Sequence, residues 1–177
     1  MREADQALLA PFIDAGRALV RDGAAALTTS CGFLARWQDE LQAAFDVPLW
    51  SSSLLLLPEL AHRRPGVITV DAAALDAAVL RGAGADPATP VEGLACGSAL
   101  VRTLLEDRAE LDLVDAERTV VEAARRLCER HAGIGAIVLE CTNLPPYAAA
   151  VARSAGLPVH HLLDLVHARW RRLGARS

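Results

Sequence analysis

The feature that most constrains the fold is an internal repeat with a shift of 110 residues. In each copy an apolar stretch is followed by a cysteine, a helix-like stretch and a second apolar stretch that contains a proline. Cys31 and Pro48 of the first copy correspond to Cys141 and Pro158 of the second, and each pair is 17 residues apart. Because the two copies align without a gap across this window, the sequence predicts a strand-helix-strand unit that occurs twice.

The rest of the chain continues the alternation of apolar stretches and helix-like stretches. This order is typical of an α/β protein with parallel sheets flanked by helices. We therefore predict two pseudo-symmetric lobes with a site in the cleft between them, the first formed by residues 1–60 and 162–177 and the second by 61–161. The stretches that predict strands are 24–29, 47–50, 66–70, 91–94, 133–140 and 157–161.

The first lobe is expected to lack its N-terminal strand. The predicted strand 66–70 has no counterpart in the first copy, because a shift of 110 residues places that counterpart before Met1. Two obvious strands are few for an independently stable sheet. An exposed strand edge in this lobe would favour pairing with another chain.

Composition and charge narrow the possible functions. A chain of 177 residues with 53% hydrophobic content can form one core or two small lobes. The formal charge of -4, without a basic stripe, makes a nucleic-acid partner unexpected. No stretch reaches the roughly 18 apolar residues of a membrane span, and the N-terminus lacks the pattern of a signal peptide. The sequence thus predicts a soluble cytoplasmic protein without membrane association.

Four cysteines are present, and two of them occupy equivalent places in the repeat. Without CxxC pairs, a cytoplasmic chain is expected to keep all four as reduced thiols rather than disulfides or a zinc site. Cys31 and Cys141 each follow an apolar strand at its carboxyl end, where open parallel sheets place their sites. Cys96 and Cys128 have no such counterpart and are predicted to be small core residues.

A thiol at the end of a strand also lies near the N-terminus of the next helix, which favours the thiolate. Hydroxyls at Thr29, Ser30 and Thr142 are candidates for further hydrogen bonds. If the two thiols face each other, one takes a proton from carbon on one face and the other returns a proton on the opposite face. This chemistry inverts a stereocentre without a cofactor.

Other polar residues near the strand ends leave alternatives open. The serine cluster 51–53 either caps the following helix or supplies polar contacts in the cleft. Glu140 either tunes the adjacent thiol, binds an amine or pairs with an arginine. His160 and His161 end the last strand, where they either line the cleft or lie on the surface. A zinc site there with Cys141 is disfavoured because the ligand spacing is not typical of one.

Two segments, "TTSCGF" and "VLECTNLPPY", resemble the cysteine motifs of the aspartate/glutamate racemase superfamily, whose members include hydantoin racemase, maleate isomerase and arylmalonate decarboxylase. The resemblance covers nearly the whole chain. It implies that Cys31 and Cys141 are the acid/base thiols, and that Thr142 and Asn143 help to hold a substrate carboxylate. It also implies a cofactor-independent enzyme, often a homodimer, that acts on a small carboxylate.

The sequence departs from that superfamily beside both cysteines. Gly32 and Phe33 follow the first cysteine, where racemases commonly have Asn-Thr, and Asn143 stands where glutamate racemases have histidine. Substrate identity therefore does not transfer. The predicted substrate-binding residues are Thr29, Ser30, Gly32, Ser52, Thr142, Asn143 and His160, with no metal ligand among them.

The predicted function is a cofactor-independent racemase or isomerase of a small carboxylate, such as an amino acid, that uses both thiols. Three alternatives stay open. The first is a decarboxylase or a maleate-type isomerase that uses a single cysteine. The second is a catalytically silent ligand-binding homologue, and the third is a homologue completed by a partner chain.

Overall fold

Parallel strands flanked by helices form the architecture, as the alternating pattern predicts. The computed structural model describes residues 3–174, with side chains from residue 8 onward. Residues 1, 2 and 175–177, which belong to the predicted first-lobe range, lie outside the described residues. The described strands form two separate sheets, and the division of the chain into two lobes at the predicted boundaries stays a prediction.

The smaller sheet contains two parallel strands, in which Leu27 is paired with Leu49 and Thr28 with Trp50. Its leucines pack with those of the neighbouring helices into a small core. The elements of this part are α1 (Glu3–Arg21), β1 (Leu27–Thr28), a 3-10 helix (Gly32–Trp37), α2 (Gln38–Ala43) and β2 (Leu49–Trp50).

Both strands of this sheet are shorter than the apolar stretches that predicted them. The backbone pairing ends where two threonine side chains form the hydrogen bonds between the two strands. Thr28 Oγ1 donates to the Trp50 carbonyl at 2.8 Å, and Thr29 Oγ1 donates to the Ser51 carbonyl at 2.6 Å. Threonine hydroxyls therefore donate to the carbonyls that backbone N–H groups would bind if the two strands were longer.

The larger sheet contains four parallel strands in the order β4-β3-β5-β6. The central strands β3 and β5 are buried along their whole length, which explains their continuous apolar sequences. The elements of this part are a 3-10 helix (Ser53–Leu56), α3 (Leu57–Leu60), a 3-10 helix (Ala61–Arg63), β3 (Pro65–Thr69), α4 (Ala77–Gly82), β4 (Val91–Gly93), α5 (Ala99–Leu105), α6 (Leu113–Arg130), β5 (Ala136–Leu139), a 3-10 helix (Pro145–Tyr147), α7 (Ala148–Ala155), β6 (Val159–His160) and α8 (Leu162–Gly174).

Helix ends follow the sequence signals that precede or terminate them. The Asp112 side chain accepts hydrogen bonds from two backbone N–H groups at the start of α6, and Asp76 does the same for α4. Gly156 ends α7 with a φ of 65°, as predicted for a C-terminal glycine. These caps fix where the helices that cover the sheet begin and end.

The prediction that both unmatched cysteines are core residues is wrong for Cys96. Cys96 is exposed, because it lies in a turn before α5 rather than in an element that packs on the sheet. Cys128 is half-buried in α6 and packs against the main core, where burial raises the pKa of its thiol.

Among residues 3–174, no helix is long and apolar enough to cross a membrane.

The 3-10 helix that follows β1 packs into a core of the larger sheet. Ala35, from the 3-10 helix after β1, packs with Leu54, Val79 and Val138, of which the last belongs to β5. Backbone meets backbone at this contact, since a Cβ at Gly82 of α4 would lie 2.2 Å from the Ala35 carbonyl oxygen. The glycine thus lets the segment after Cys31 approach α4 closely.

Replacement of this glycine tests the close approach. We expect Gly82→Ala to lower the free energy of unfolding by about 1–3 kcal/mol, because the new methyl group has no space. Helix propensity alone would give the opposite sign, by about 1 kcal/mol. Urea denaturation measures the difference. Gly174→Ala in α8 is the control, since a Cβ there meets no atom within 4 Å; equal effects of the two substitutions would contradict the packing.

Candidate active site

The segments that carry Cys31 and Cys141 meet at the carboxyl ends of β1 and β5. Thr142 Oγ1 donates a hydrogen bond to the Ser30 carbonyl at 2.9 Å, so a residue next to one cysteine binds a residue next to the other. Cys31 is exposed and Cys141 is partly buried. The repeat therefore predicts correctly that these two segments come together, although each belongs to a different sheet.

A second contact joins the same two segments. The Glu140 carboxyl lies against Gly32, and a Cβ at that glycine would be only 1.9 Å from Glu140 Oε1. The glycine after Cys31 therefore leaves the space that the carboxyl fills. Gly32 was predicted to contact substrate, whereas its described contact is with a side chain of the facing segment.

Glu140 is a buried carboxyl that accepts a hydrogen bond from Thr69. Its exposed fraction is 3%, and Thr69 Oγ1 donates to Oε2 at 2.7 Å. Burial raises the pKa of Glu140, and the Thr69 hydrogen bond offsets part of that rise. Within residues 3–174, no arginine forms an ion pair with this carboxyl, so the described part of the chain does not support the arginine-pairing alternative.

The pKa of the Cys141 thiol is raised, whereas the sequence predicted a position that favours the thiolate. Burial raises its pKa, and the neighbouring Glu140 raises it further. The Asn143 backbone N–H and the Asn143 amide, whose Nδ2 is 3.7 Å from Sγ, lower the pKa less. Helix α7 begins only at Ala148, so its N-terminus does not follow the cysteine directly. The expected stabilisation of the thiolate by a helix N-terminus is therefore not found, and burial has the largest effect on the pKa.

Most predicted hydroxyl ligands have partners within the protein. Thr29 Oγ1 donates to the Ser51 carbonyl, and Thr142 Oγ1 donates to Ser30 as described. Ser52 is 1% exposed, and its Oγ accepts the Leu54 N–H, so it caps the 3-10 helix that follows. A substrate-binding role for these residues stays a prediction.

Two further hydroxyls contact the segment before Cys141. Ser53 belongs to the serine cluster whose role was left open, and Thr69 was not among the predicted site residues. Ser53 Oγ donates to the Leu139 carbonyl at 2.8 Å, at the end of β5. Thr69 ends β3 and donates to Glu140. The signal for Thr69 was available, because it is a buried polar residue at the end of an otherwise apolar strand.

The two histidines lie at the end of β6. His160 is the last residue of the strand and pairs in register with Val138. Burial lowers the pKa of its imidazole, which favours the neutral form. His161 Nδ1 is buried and lies 3.3 Å from Asp164 Oδ2, beside a cavity of about 460 Å³ that Thr142 also lines. In the described part of the chain, no three acidic, histidine or cysteine side chains cluster as a metal site would require.

The contact between Gly32 and Glu140 can be tested by a double-mutant cycle. We expect Gly32→Ala to lower the free energy of unfolding by about 1–3 kcal/mol, since its methyl group collides with the carboxyl. In a chain that already carries Glu140→Ala, the same substitution should cost at least about 1 kcal/mol less. Urea denaturation of the four proteins measures the coupling; additive effects would show that the two residues do not touch.

Comparison with known proteins identifies relatives that are enzymes. No protein-family model matches the chain. Dimethylsulfoniopropionate lyase 7 of Emiliania huxleyi (strain CCMP1516) is 30% identical over 161 residues, which are 84% of this chain and 47% of the relative. A dimethylsulfoniopropionate lyase of Durusdinium sp. clade D is 30% identical over 78% of this chain and 49% of its own length. The chain thus spans about half the length of the curated relatives it matches.

Solved structures share the fold at lower sequence identity. Arylmalonate decarboxylase superimposes with a TM-score of 0.62 at 20% identity, over 87% of this chain and 70% of that one. An aspartate racemase homologue from Pyrococcus horikoshii OT3 gives 0.55 at 22% identity, over 84% and 66% of the two chains. Glutamate racemase from Bacillus anthracis gives 0.53 at 15% identity, over 85% and 58%.

Proposed function

We propose that this chain, which has the fold of the aspartate/glutamate racemase superfamily, catalyses proton transfer at the carbon next to a carboxylate and inverts that carbon. The observation that carries the proposal is the meeting of the two cysteine segments through the Thr142–Ser30 hydrogen bond. Two thiols on opposite sides of one carbon are what inversion without a cofactor requires.

In the proposed reaction, one cysteine thiolate removes the Cα proton and becomes a thiol. The electron pair left on Cα is delocalised into the carboxylate, and the facing thiol then delivers its own proton to the opposite side. We assign these two steps to Cys31 and Cys141. Backbone N–H groups and side chains of the adjoining segments would hold the substrate carboxylate, with Asn143 beside Cys141 as the first candidate.

A second candidate is β-elimination, and the 30% identity to dimethylsulfoniopropionate lyases favours it. Elimination from a β-sulfonio carboxylate begins with the same removal of a Cα proton. The electron pair then forms the Cα–Cβ double bond while the carbon–sulfur bond breaks, and the sulfide leaves with its electrons. Only one thiol is needed as the base, so the two candidates make different demands on the cysteine pair.

Deuterium exchange at Cα separates the two candidates. For inversion, we expect Cys31→Ser and Cys141→Ser each to lower the rate by about 100-fold or more, because both thiols carry protons. For elimination, only the variant that lacks the cysteine acting as the base should show a rate decrease of that size. The substrate panel contains amino acids, hydantoins, 2-substituted malonates and dimethylsulfoniopropionate, with exchange followed by NMR and sulfide release by gas chromatography.

Cys96→Ser is the matched control, since Cys96 is an exposed thiol in the turn before α5. Its rate should equal that of the parent protein. Full activity of both Cys31→Ser and Cys141→Ser on a substrate that the parent converts would exclude thiol chemistry in either form. Binding without conversion of any substrate would favour the catalytically silent alternative.

A homodimer in the cytoplasm, working without a cofactor, completes the proposal. Apolar side chains at the end of α5 and the start of α6 support self-association, because Leu105, Leu113 and Val114 expose 72%, 67% and 81% of their surface. We expect light scattering after size-exclusion chromatography to give twice the chain mass of 18.8 kDa. A single species at the monomer mass across micromolar concentrations would contradict the dimer.

A further inference from the structure

A second cavity lies beside β4, at the edge of the larger sheet. Its volume is about 690 Å³, which is within the range of small-molecule sites. The loop after β3, strand β4 with the turn that follows it, and helix α5 form its walls. Neither Cys31 nor Cys141 is among the described residues that line it, so the proton transfer proposed above makes no use of this cavity.

Apolar groups form much of the cavity wall. A Cβ at Gly93 would lie 3.1 Å from the Ala72 backbone nitrogen, so the loop after β3 lies directly on β4. Leu94 and Val101 line the cavity and belong to the main core, whereas Leu105 at the end of α5 is 72% exposed. A ligand with an apolar part would cover that exposed surface.

The buried carboxylate of the cavity already has two cationic partners. Glu92 is 7% exposed, and its Oε1 and Oε2 accept hydrogen bonds from Arg126 Nε and Arg130 Nη1, each at 2.8 Å. Both arginines belong to α6 and hold β4 against that helix. Because two guanidinium groups bind one carboxylate, Glu92 does not make the cavity a site for a cation.

Arg102 of α5 is a cation of the lining without such a partner. Within residues 8–174, whose side chains are described, it forms no ion pair. The acidic side chains around it have other partners, since Glu106 pairs with Arg108 and Asp115 with Arg118. A guanidinium group at the wall of an apolar cavity is suited to bind a carboxylate through two parallel hydrogen bonds.

The total charge around the cavity also favours an anion. The charged side chains of the lining and their ion-pair partners are four arginines and three carboxylates, namely Arg102, Arg108, Arg126 and Arg130 against Asp71, Glu92 and Glu106. The cavity thus combines apolar walls with an excess of positive charge.

We propose that this cavity is a second binding site, for a small amphiphilic anion such as a medium-chain carboxylate. The apolar tail packs on Leu94, Val101 and Leu105, and Arg102 binds the anionic head group. The site goes beyond the proposed function and does not depend on it, because these residues take no part in proton transfer at Cα.

Cys96 reports whether the cavity is occupied, because its exposed thiol is part of the lining. The parent protein reacts with iodoacetamide with and without octanoate, and mass spectrometry of proteolytic peptides gives the rate at each cysteine. We expect saturating octanoate to lower the Cys96 rate by about fivefold or more, since a ligand in the cavity covers the thiol. An unchanged Cys96 rate overturns the proposal.

Substitution of Arg102 tests the head-group contact. We expect Arg102→Gln to raise the octanoate concentration for half-protection of Cys96 by about tenfold, because a charge-assisted hydrogen bond is lost. Arg125→Gln removes another exposed charge, from α6, and should leave that concentration unchanged. Leu105→Glu is a second test at an exposed position, since a carboxylate there should repel octanoate. Equal protection in Arg102→Gln and the parent overturns the proposal.

Two further probes separate the tail from the head group. Acetate carries the carboxylate alone and octanol carries the tail alone, and each should protect Cys96 less than octanoate does at the same concentration. Protection by octanol equal to that by octanoate shows an apolar surface without an anion site and overturns the proposal.

The same measurement distinguishes the cavity from the candidate active site and from a dimer contact. Loss of Cys96 protection in Arg102→Gln, while any effect of octanoate on Cys31 stays, supports a site separate from the cysteine pair. Protection of Cys31 without protection of Cys96 places the carboxylate at the candidate active site only and overturns the proposal. A Cys96 rate that falls with protein concentration in the absence of octanoate shows that a second copy covers the cavity, which also overturns it.

Discussion

The arrangement of the site depends on the direct contact between two segments that belong to different sheets. One segment follows β1 and the other follows β5, and two reciprocal contacts hold them together: the hydroxyl of Thr142 on the Ser30 carbonyl and the carboxyl of Glu140 against Gly32. Neither contact is made by a long flexible side chain at the surface. The relative position of the two segments is therefore set by these contacts, and Ala35 after Cys31 packs with Val138 of β5 in the core behind them.

A buried carboxyl at this contact opposes folding unless another group compensates. Desolvation disfavours its charged form, and a single hydroxyl donor offsets only part of that cost. Burial of such a group in the residue before Cys141 is more typical of a functional site than of a core that is optimised for stability. The surrounding apolar strands β3 and β5, which are buried along their whole length, provide the stability that tolerates it.

Much of the fold could be predicted, because the alternation of apolar and helix-like stretches indicates parallel strands flanked by helices. The repeat predicted that Cys31 and Cys141 lie at strand ends, and the structure brings their segments together. The contact of Glu140 with Gly32 could not be predicted in the same way. The repeat aligns Glu140 with Ser30 instead, and a crossed contact between the two cysteine segments has no signature in either copy alone. The exposure of Cys96 was also missed, since a lone cysteine gives no indication of whether its turn packs on the sheet.

The close backbone contact at Gly82 limits how the segment after Cys31 can move. The 3-10 helix that follows Cys31 rests on α4 with no side chain between the two backbones, so the pair lacks the space to slide or hinge. The Cys31 side of the site is thus expected to move with the larger sheet as one body.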